Sequence, residues 1–196
     1  MLRIVPANQA ACDDLQVVFG DRGTGHVCQC QRYKLSPGES FGVGPREERM
    51  LRLWDQTDCG NPGSDQTTGL VGYLGDQPVA WCAVEPRSDY EGLLRVYKVP
   101  WEGRDEDRAD PTVWAITCLF TRAGHRRRGH SKEMTLAAVE FARSRGARAV
   151  EAYPITVKNV IPEELHVGTP DTFAAAGLVE VSRPTKRRIV MRREFG

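Results

Sequence analysis

No apolar run in this 196-residue chain approaches the length needed to cross a bilayer. The first residues, Met1-Leu2-Arg3-Ile4-Val5-Pro6, lack the apolar core of a secretory signal, so a cytoplasmic setting without a membrane partner is expected. A surplus of one charge is missing too: 27 Lys and Arg face 26 Asp and Glu, a net of +1. A general nucleic-acid binder normally carries a basic excess, so that class loses ground, and only Arg126–Arg128 and Lys186–Arg188 keep it in view. Repeats and low-complexity segments are absent, which leaves one domain over 1–196, large enough for a core without staples. Cys28 and Cys30 form a Cys-x-Cys pair with Cys59 further on, but no second pair stands at finger-like spacing, so no metal is expected. Cys12, Cys82 and Cys118 lie in apolar segments and read as small hydrophobes, and the cytoplasmic expectation disfavours disulfides.

What the chain does have is concentrated between Val113 and Gly146. The run Val113-Trp114-Ala115-Ile116-Thr117-Cys118-Leu119-Phe120 is short, β-branched and aromatic, and bounded by polar turns, so it predicts a buried strand. A basic loop follows, Arg122-Ala123-Gly124-His125-Arg126-Arg127-Arg128-Gly129-His130-Ser131. Ser131 to Arg145 then predicts a helix with Met134, Ala137, Ala138, Phe141 and Ala142 on one face and Gly146 as its stop. A strand, a basic glycine turn and a helix N-terminus make an anion site, because the first amides of a helix are unpaired and its dipole favours negative charge. Gly129 permits close approach of a phosphate, and the arginines add positive charge. A phosphorylated cofactor is the ligand this frame points to; a solvated loop tip is the plainer reading of the arginines.

The order strand, Arg126-Arg127-Arg128-Gly129-His130-Ser131, helix resembles the pyrophosphate loop Q/R-x-x-G-x-G/A of the GNAT family of N-acetyltransferases. Arg126 and Gly129 match; Ser131 stands where glycine or alanine is usual. Phe173-Ala174-Ala175-Ala176-Gly177-Leu178 is similar to the family's tyrosine-x-x-x-glycine-phenylalanine ending. The resemblance runs from Leu2 to Met191, with a motif core over about 111–183. It implies an α/β (α+β) fold: a mixed, mostly antiparallel sheet flanked by helices, whose splayed central strands form an acyl-CoA cleft. It also implies acetyl-CoA as cosubstrate, an amine as acceptor, and direct attack of that amine on the thioester. Cofactor contacts would come from Leu119, Phe120 and Thr121, from Arg126, Arg127, Arg128, Gly129, His130 and Ser131, and from Phe173. A homodimer is left open.

In chain order, Leu2–Val5 reads as a strand and Ala11–Phe19 as a helix with Leu15, Val18 and Phe19 inward, broken by Gly20–Gly25. The chain is then irregular to Pro45; Tyr33 and Phe41 are candidates to line an acceptor pocket or to pack on the loop. Arg46–Trp54 predicts a helix. Gly69–Leu74 and Pro78–Val84 predict a hairpin through Gly75-Asp76-Gln77, and the resemblance makes these the second and third strands. Tyr90–Val96 suggests a short helix and Trp101–Asp110 an exposed excursion. Ala149–Tyr153 reads as a strand stopped by Pro154. Pro162 could begin a turn of helix, and Pro170 starts a helix capped by Thr169 and ended by Gly177. Leu178–Ser182 and Arg188–Arg192 are expected to close the sheet as a hairpin.

Acetyl transfer to an amine with a pKa of about 10.4 needs a base near neutral pH. Glu151 and Glu85 are the carboxylates near the central strands, and each is equally readable as an ordinary strand residue. Relatives that use a general acid place a tyrosine where this chain has Phe173, which has no proton to give. Tyr153 or His166 could substitute, or water, or turnover has been lost and the chain is an acyl-CoA-binding sensor. Cys118 raises a covalent route, against which a structural thiol is the plainer reading.

Overall fold

A computed structural model describes residues 1–39 and 44–196, with the side chain of Pro162 outside the description. Phe41, an acceptor-pocket candidate, lies outside the described residues. The described residues form seven strands: β1 (Arg3–Pro6), β2 (Leu70–Leu74), β3 (Gln77–Pro86), β4 (Val113–Thr121), β5 (Ala149–Ala152), β6 (Val179–Ser182) and β7 (Val190–Glu194). The helices are α1 (Cys12–Phe19), α2 (Gly23–Cys28), α3 (Arg46–Thr57), α4 (Glu91–Arg95), α5 (His130–Ser144) and α6 (Pro170–Ala174), with a 3-10 turn at Pro162–Val167. The strands make one sheet in the order β1-β2-β3-β4-β5-β7-β6, in which only β4 and β5 run parallel.

Strand alternation sorts the core into two faces. Ala80, Cys82, Trp114, Ile116, Val150 and Ala152 point to one side, where α5 lays down Met134, Ala138 and Ala142 and α6 lays down Phe173. On the other side Val71, Tyr73, Trp81 and Ala83 meet Leu15, Val18 and Phe19 of α1 and Leu53 of α3. Further along this second face, Ala115, Tyr153 and Val190 meet Tyr33, Tyr90 and Leu93.

Three expectations are corrected. Gly23–Cys28 forms α2 despite two poor helix formers, and Phe120 packs on Gly25 so closely that an added Cβ would lie 2.5 Å from its ring. Cys12 and Cys59 are disulfide-bonded with Cα atoms 5.1 Å apart, contrary to the expectation of no disulfides. The Gly60 amide donating to the Ala10 carbonyl at 2.8 Å brings the turn after α3 against the start of α1. The excursion over Trp101–Asp110 is exposed over most of its length, as expected, and is anchored at its start: Trp101 is buried and its indole N–H donates to the Leu93 carbonyl at 3.3 Å. Thr169 sits at the N-cap of α6, but its hydroxyl pairs with that of Thr172 at 3.0 Å instead of capping a backbone amide. Among the described residues no helix is long and apolar enough to cross a membrane, and no cluster of three or more His, Cys, Asp or Glu is arranged to hold a metal.

Candidate functional site

The site begins with a register that stops early. β4 stays paired with β3 as far as Thr121 opposite Ala80, but with β5 only from Val113 to Ile116, opposite Ala149 to Ala152. Among the described residues β4 has no strand on its β5 side from Thr117 onward, because the chain leaves β5 through Pro154. A bulge at the same place, between the pairs Ala83–Cys118 and Val84–Ile116, turns the backbone of β4 and kinks the strand. The sheet therefore opens where Thr117–Thr121 begin. Gly168 closes the base of the opening: with φ +74 its backbone lies between Phe173 and Leu119, and an added Cβ would stand 2.6 Å from the Phe173 ring.

At the mouth of the opening β4 hands over to the basic loop. Gly129, at φ +83, is the N-cap residue of α5, and nothing lies within 4 Å of where its Cβ would be. Among the described residues, no hydrogen bond is donated by the amides of Arg126 to Ser131, which leaves them unpaired at the positive end of the α5 dipole. Arg126, Arg127 and Arg128 are exposed, and Arg126 Nε donates to the Thr121 carbonyl at 3.3 Å, which folds the loop back on the strand end. His130 contributes differently from its neighbours. Its ring is buried and paired with Glu133 at 3.3 Å, so toward the mouth it offers only its backbone.

The second face of the sheet, beside the opening, holds Glu85 on β3. It is buried and Lys34 Nζ donates to its Oε2 at 2.7 Å, while Oε1, also 2.7 Å from Nζ, has no aligned donor among the described residues. The same ammonium lies 5.4 Å from the ring centroid of Tyr90. A carboxylate and an aromatic face around an alkylammonium make a cation site. Lys34 and Tyr90 carried no signal in the sequence, since neither sits in a motif.

Glu151 is elsewhere in character. It is fully buried and accepts from Arg87 Nη1 at 3.1 Å, Arg192 Nη1 at 2.7 Å, Tyr153 Oη at 3.0 Å and Arg104 Nη2. Burial acts to raise its pKa, but Arg104, then Arg87 and Arg192, overcome that and hold it low. A carboxylate with its lone pairs so engaged is poorly suited to take a proton from a substrate. Glu106 bridges the same arginines, so the network ties the 87–110 excursion to β5 and β7. Tyr153 is buried behind β5 with its hydroxyl committed to Glu151, and burial, then the Glu151 charge, pushes its pKa well up.

His166 sits in the 3-10 turn next to the Tyr33 ring, with centroids 6.3 Å apart. Its Nδ1 donates to the Glu163 carbonyl at 2.8 Å and its Nε2 is buried without a partner among the described residues. Burial lowers its pKa, so the free nitrogen is a proton acceptor near neutral pH, not a donor. Phe173 is fully buried and forms the wall behind Leu119.

A sheet opened at its fourth strand, with an amide-lined basic loop at the mouth, defines an acyltransferase-type fold of one domain. The sequence model described as "Acetyltransferase (GNAT) family" matches residues 33–161, and the chain belongs to that family. Solved structures with the same fold include the GNAT-family acetyltransferase from Streptococcus pneumoniae, 14% identical, TM-score 0.53, all of both chains covered. The phosphinothricin acetyltransferase from Sinorhizobium meliloti in complex with AcCoA is 11% identical, TM-score 0.54, over 100% of this chain and 89% of that one. The ribosomal-protein-alanine N-acetyltransferase from Brucella melitensis is 12% identical, TM-score 0.54, over 100% and 99%. At these identities the likeness is one of fold. A comparison with curated protein sequences finds no match.

Proposed function

We propose that this acetyltransferase is an acetyl-CoA-dependent N-acetyltransferase that acts on a primary amine of a small molecule or peptide. The observation that carries the reading is the coincidence of two features: the opening of the sheet after Ile116 and the unpaired amides from Arg126 to Ser131 at its mouth. The diphosphate of the cofactor would lie on those amides, with Arg126, Arg127 and Arg128 supplying charge, as a helix N-terminus favours. The pantetheine arm and thioester would run along the free edge of Leu119, Phe120 and Thr121, whose backbone groups can polarise the carbonyl. The S. meliloti relative, described as a complex with AcCoA, is consistent with this assignment.

Glu85 is our candidate for the group that receives the acceptor ammonium and its proton. Its position with Lys34 already accommodates an alkylammonium, and one of its oxygens has no aligned donor among the described residues. Phe173 motivates a second reading, a non-catalytic acyl-CoA-binding module, since neither it nor the committed hydroxyl of Tyr153 offers a proton. CoA thiol release from acetyl-CoA, followed over a panel of small amines, free lysine and peptides, separates the two. Turnover is expected, and Glu85→Gln should lower kcat by about 10²–10⁴-fold, the range for a general base, with acetyl-CoA affinity unchanged. Acetyl-CoA binding without release for any acceptor would favour the sensor.

A further inference from the structure

A side chain of the protein itself already occupies the acceptor side of the opening. Lys34 Nζ lies 2.7 Å from both carboxylate oxygens of Glu85, and the two side chains are only 10% and 6% exposed. The Tyr90 ring stands 5.4 Å from the ammonium, and the Tyr90 hydroxyl donates to the Ala115 carbonyl at 3.4 Å. Ala115 is the β4 residue opposite Glu85, two positions before Thr117, where the β5 side of β4 becomes free. The ammonium is therefore held beside the start of the opening.

The segment that carries Lys34 does not depend on that ammonium for its place. The Leu93 amide donates to the Tyr33 carbonyl at 3.1 Å, Arg95 Nη2 to the Leu35 carbonyl at 3.0 Å, and Ser36 Oγ to Glu91 at 3.0 Å. Helix α4 packs so closely on it that a Cβ added at Gly92 would stand 3.0 Å from the Tyr33 backbone. These ties lie on both sides of Lys34, so its long side chain can shift or be modified while the segment stays docked. The amine it presents is a primary one on a methylene chain, set against the carboxylate assigned above to the acceptor.

We propose that Lys34 is the chain's own acetyl acceptor, modified at Nζ by acetyl-CoA bound to the same molecule. The inference rests on the acetyl-transfer reading and adds to it a substrate within the protein. Glu85 takes one proton from the Lys34 ammonium, and the freed lone pair attacks the thioester carbonyl carbon. The N–C bond forms, the C–S bond breaks, and the thiolate of CoA leaves with the electron pair. The second proton lost by the nitrogen goes to that thiolate, which leaves an amide at Lys34 and CoA as the thiol.

The chain supplies its own controls. Its other lysines, Lys98, Lys132, Lys158 and Lys186, are all exposed. Undirected acetylation by a thioester in solution favours those, whereas Lys34 is shielded from solvent reagents by its burial.

Incubation of the full chain with acetyl-CoA and no added amine, followed by intact mass and peptide mapping, tests the proposal. A single acetyl group should map to Lys34, at a rate independent of protein concentration, as a step within one molecule requires. Acetic anhydride should instead mark the exposed lysines before Lys34. Glu85→Gln should slow Lys34 acetylation about 10²–10⁴-fold, and Gly129→Glu at limiting acetyl-CoA about a hundredfold, with the background on exposed lysines unchanged. Lys34→Arg should remove the modification. Wild type in which Lys34 stays unmarked, or is marked no faster than in Gly129→Glu, overturns the inference: the pair with Glu85 then only ties the segment to β3. Turnover of an external amine with Lys34 unmarked would overturn this inference and leave the acetyl-transfer reading standing. Lys34 marked with no external amine turned over supports the inference by itself.

Discussion

Replacing Glu151 by Gln asks whether the carboxylate on β5 holds the fold or does the chemistry. In the native network three guanidiniums face two carboxylates, Glu151 and Glu106, and the side chain of Arg87 is fully buried with both as partners. The amide removes one charge and points an N–H at a donor, leaving Arg87 and Arg104 on Glu106 and Arg192 on Glu106 and the exposed Glu194. Breaking a buried pair in this way costs about 3–5 kcal/mol, a large share of a typical stability of about 5–15 kcal/mol. For a chain of this size each kcal/mol moves the midpoint by about 2–4 °C, so Glu151→Gln should melt about 6–20 °C below wild type. Tyr153→Phe removes one neutral donor and should cost only about 1 kcal/mol. The pH dependence has a defined sign. Because the folded pKa of Glu151 is depressed, the network's contribution is complete above the unfolded carboxylate value of about 4.3 and is lost as pH falls below it. Differential scanning calorimetry from pH 7 down to pH 3 reads both effects, and the gap between wild type and variant should narrow with acidity. A variant that melts with wild type, yet loses kcat and the acid limb of its rate profile, would refute the structural assignment and make Glu151 the base.

Two further outcomes follow from other parts of the fold. Gly168→Ala should cost about 3 kcal/mol in urea unfolding, since it combines a glycine-only conformation with a Cβ 2.6 Å from Phe173, whereas Gly129→Ala, which meets nothing, should cost about 1 kcal/mol. Arg52, by its hydrogen bonds, and the Ser36 amide hold Glu39 down to about 2. That pair should therefore support the link between the 36–39 turn and α3 above about pH 4.3 and release it as pH falls toward 2, while Glu39→Gln abolishes this acid dependence in proteolysis of the segment.

The parts legible in the sequence were those whose information is local. The hairpin over β2 and β3, the strand β4, the helix α5 and the strand β5 announce themselves through short apolar runs, periodic faces and glycine stops, and each lies within a residue or two of its expected bounds. The anion loop was legible because strand, glycine and helix are consecutive. What stayed hidden depends on pairs distant in the chain. Glu151 reads as a plain strand carboxylate until Arg87, Arg104 and Arg192 arrive from 64, 47 and 41 residues away. The disulfide joins residues 47 apart, a separation that carries no signature. Helix α2 contradicts its own propensity, and the contact of Phe120 on Gly25 joins residues far apart in the chain. The Glu85–Lys34–Tyr90 grouping brings a strand, a loop and a helix start together, and composition cannot show that.

Titration of acetyl-CoA into wild type, Arg126→Ala and Gly129→Glu by isothermal calorimetry tests the central claim most directly. The wild type should bind, Arg126→Ala should bind about tenfold more weakly, and Gly129→Glu, which places a carboxylate among the free amides, should lose at least about a hundredfold while keeping its fold. Wild type that does not bind, or a Gly129→Glu variant that binds as tightly as wild type, would contradict it.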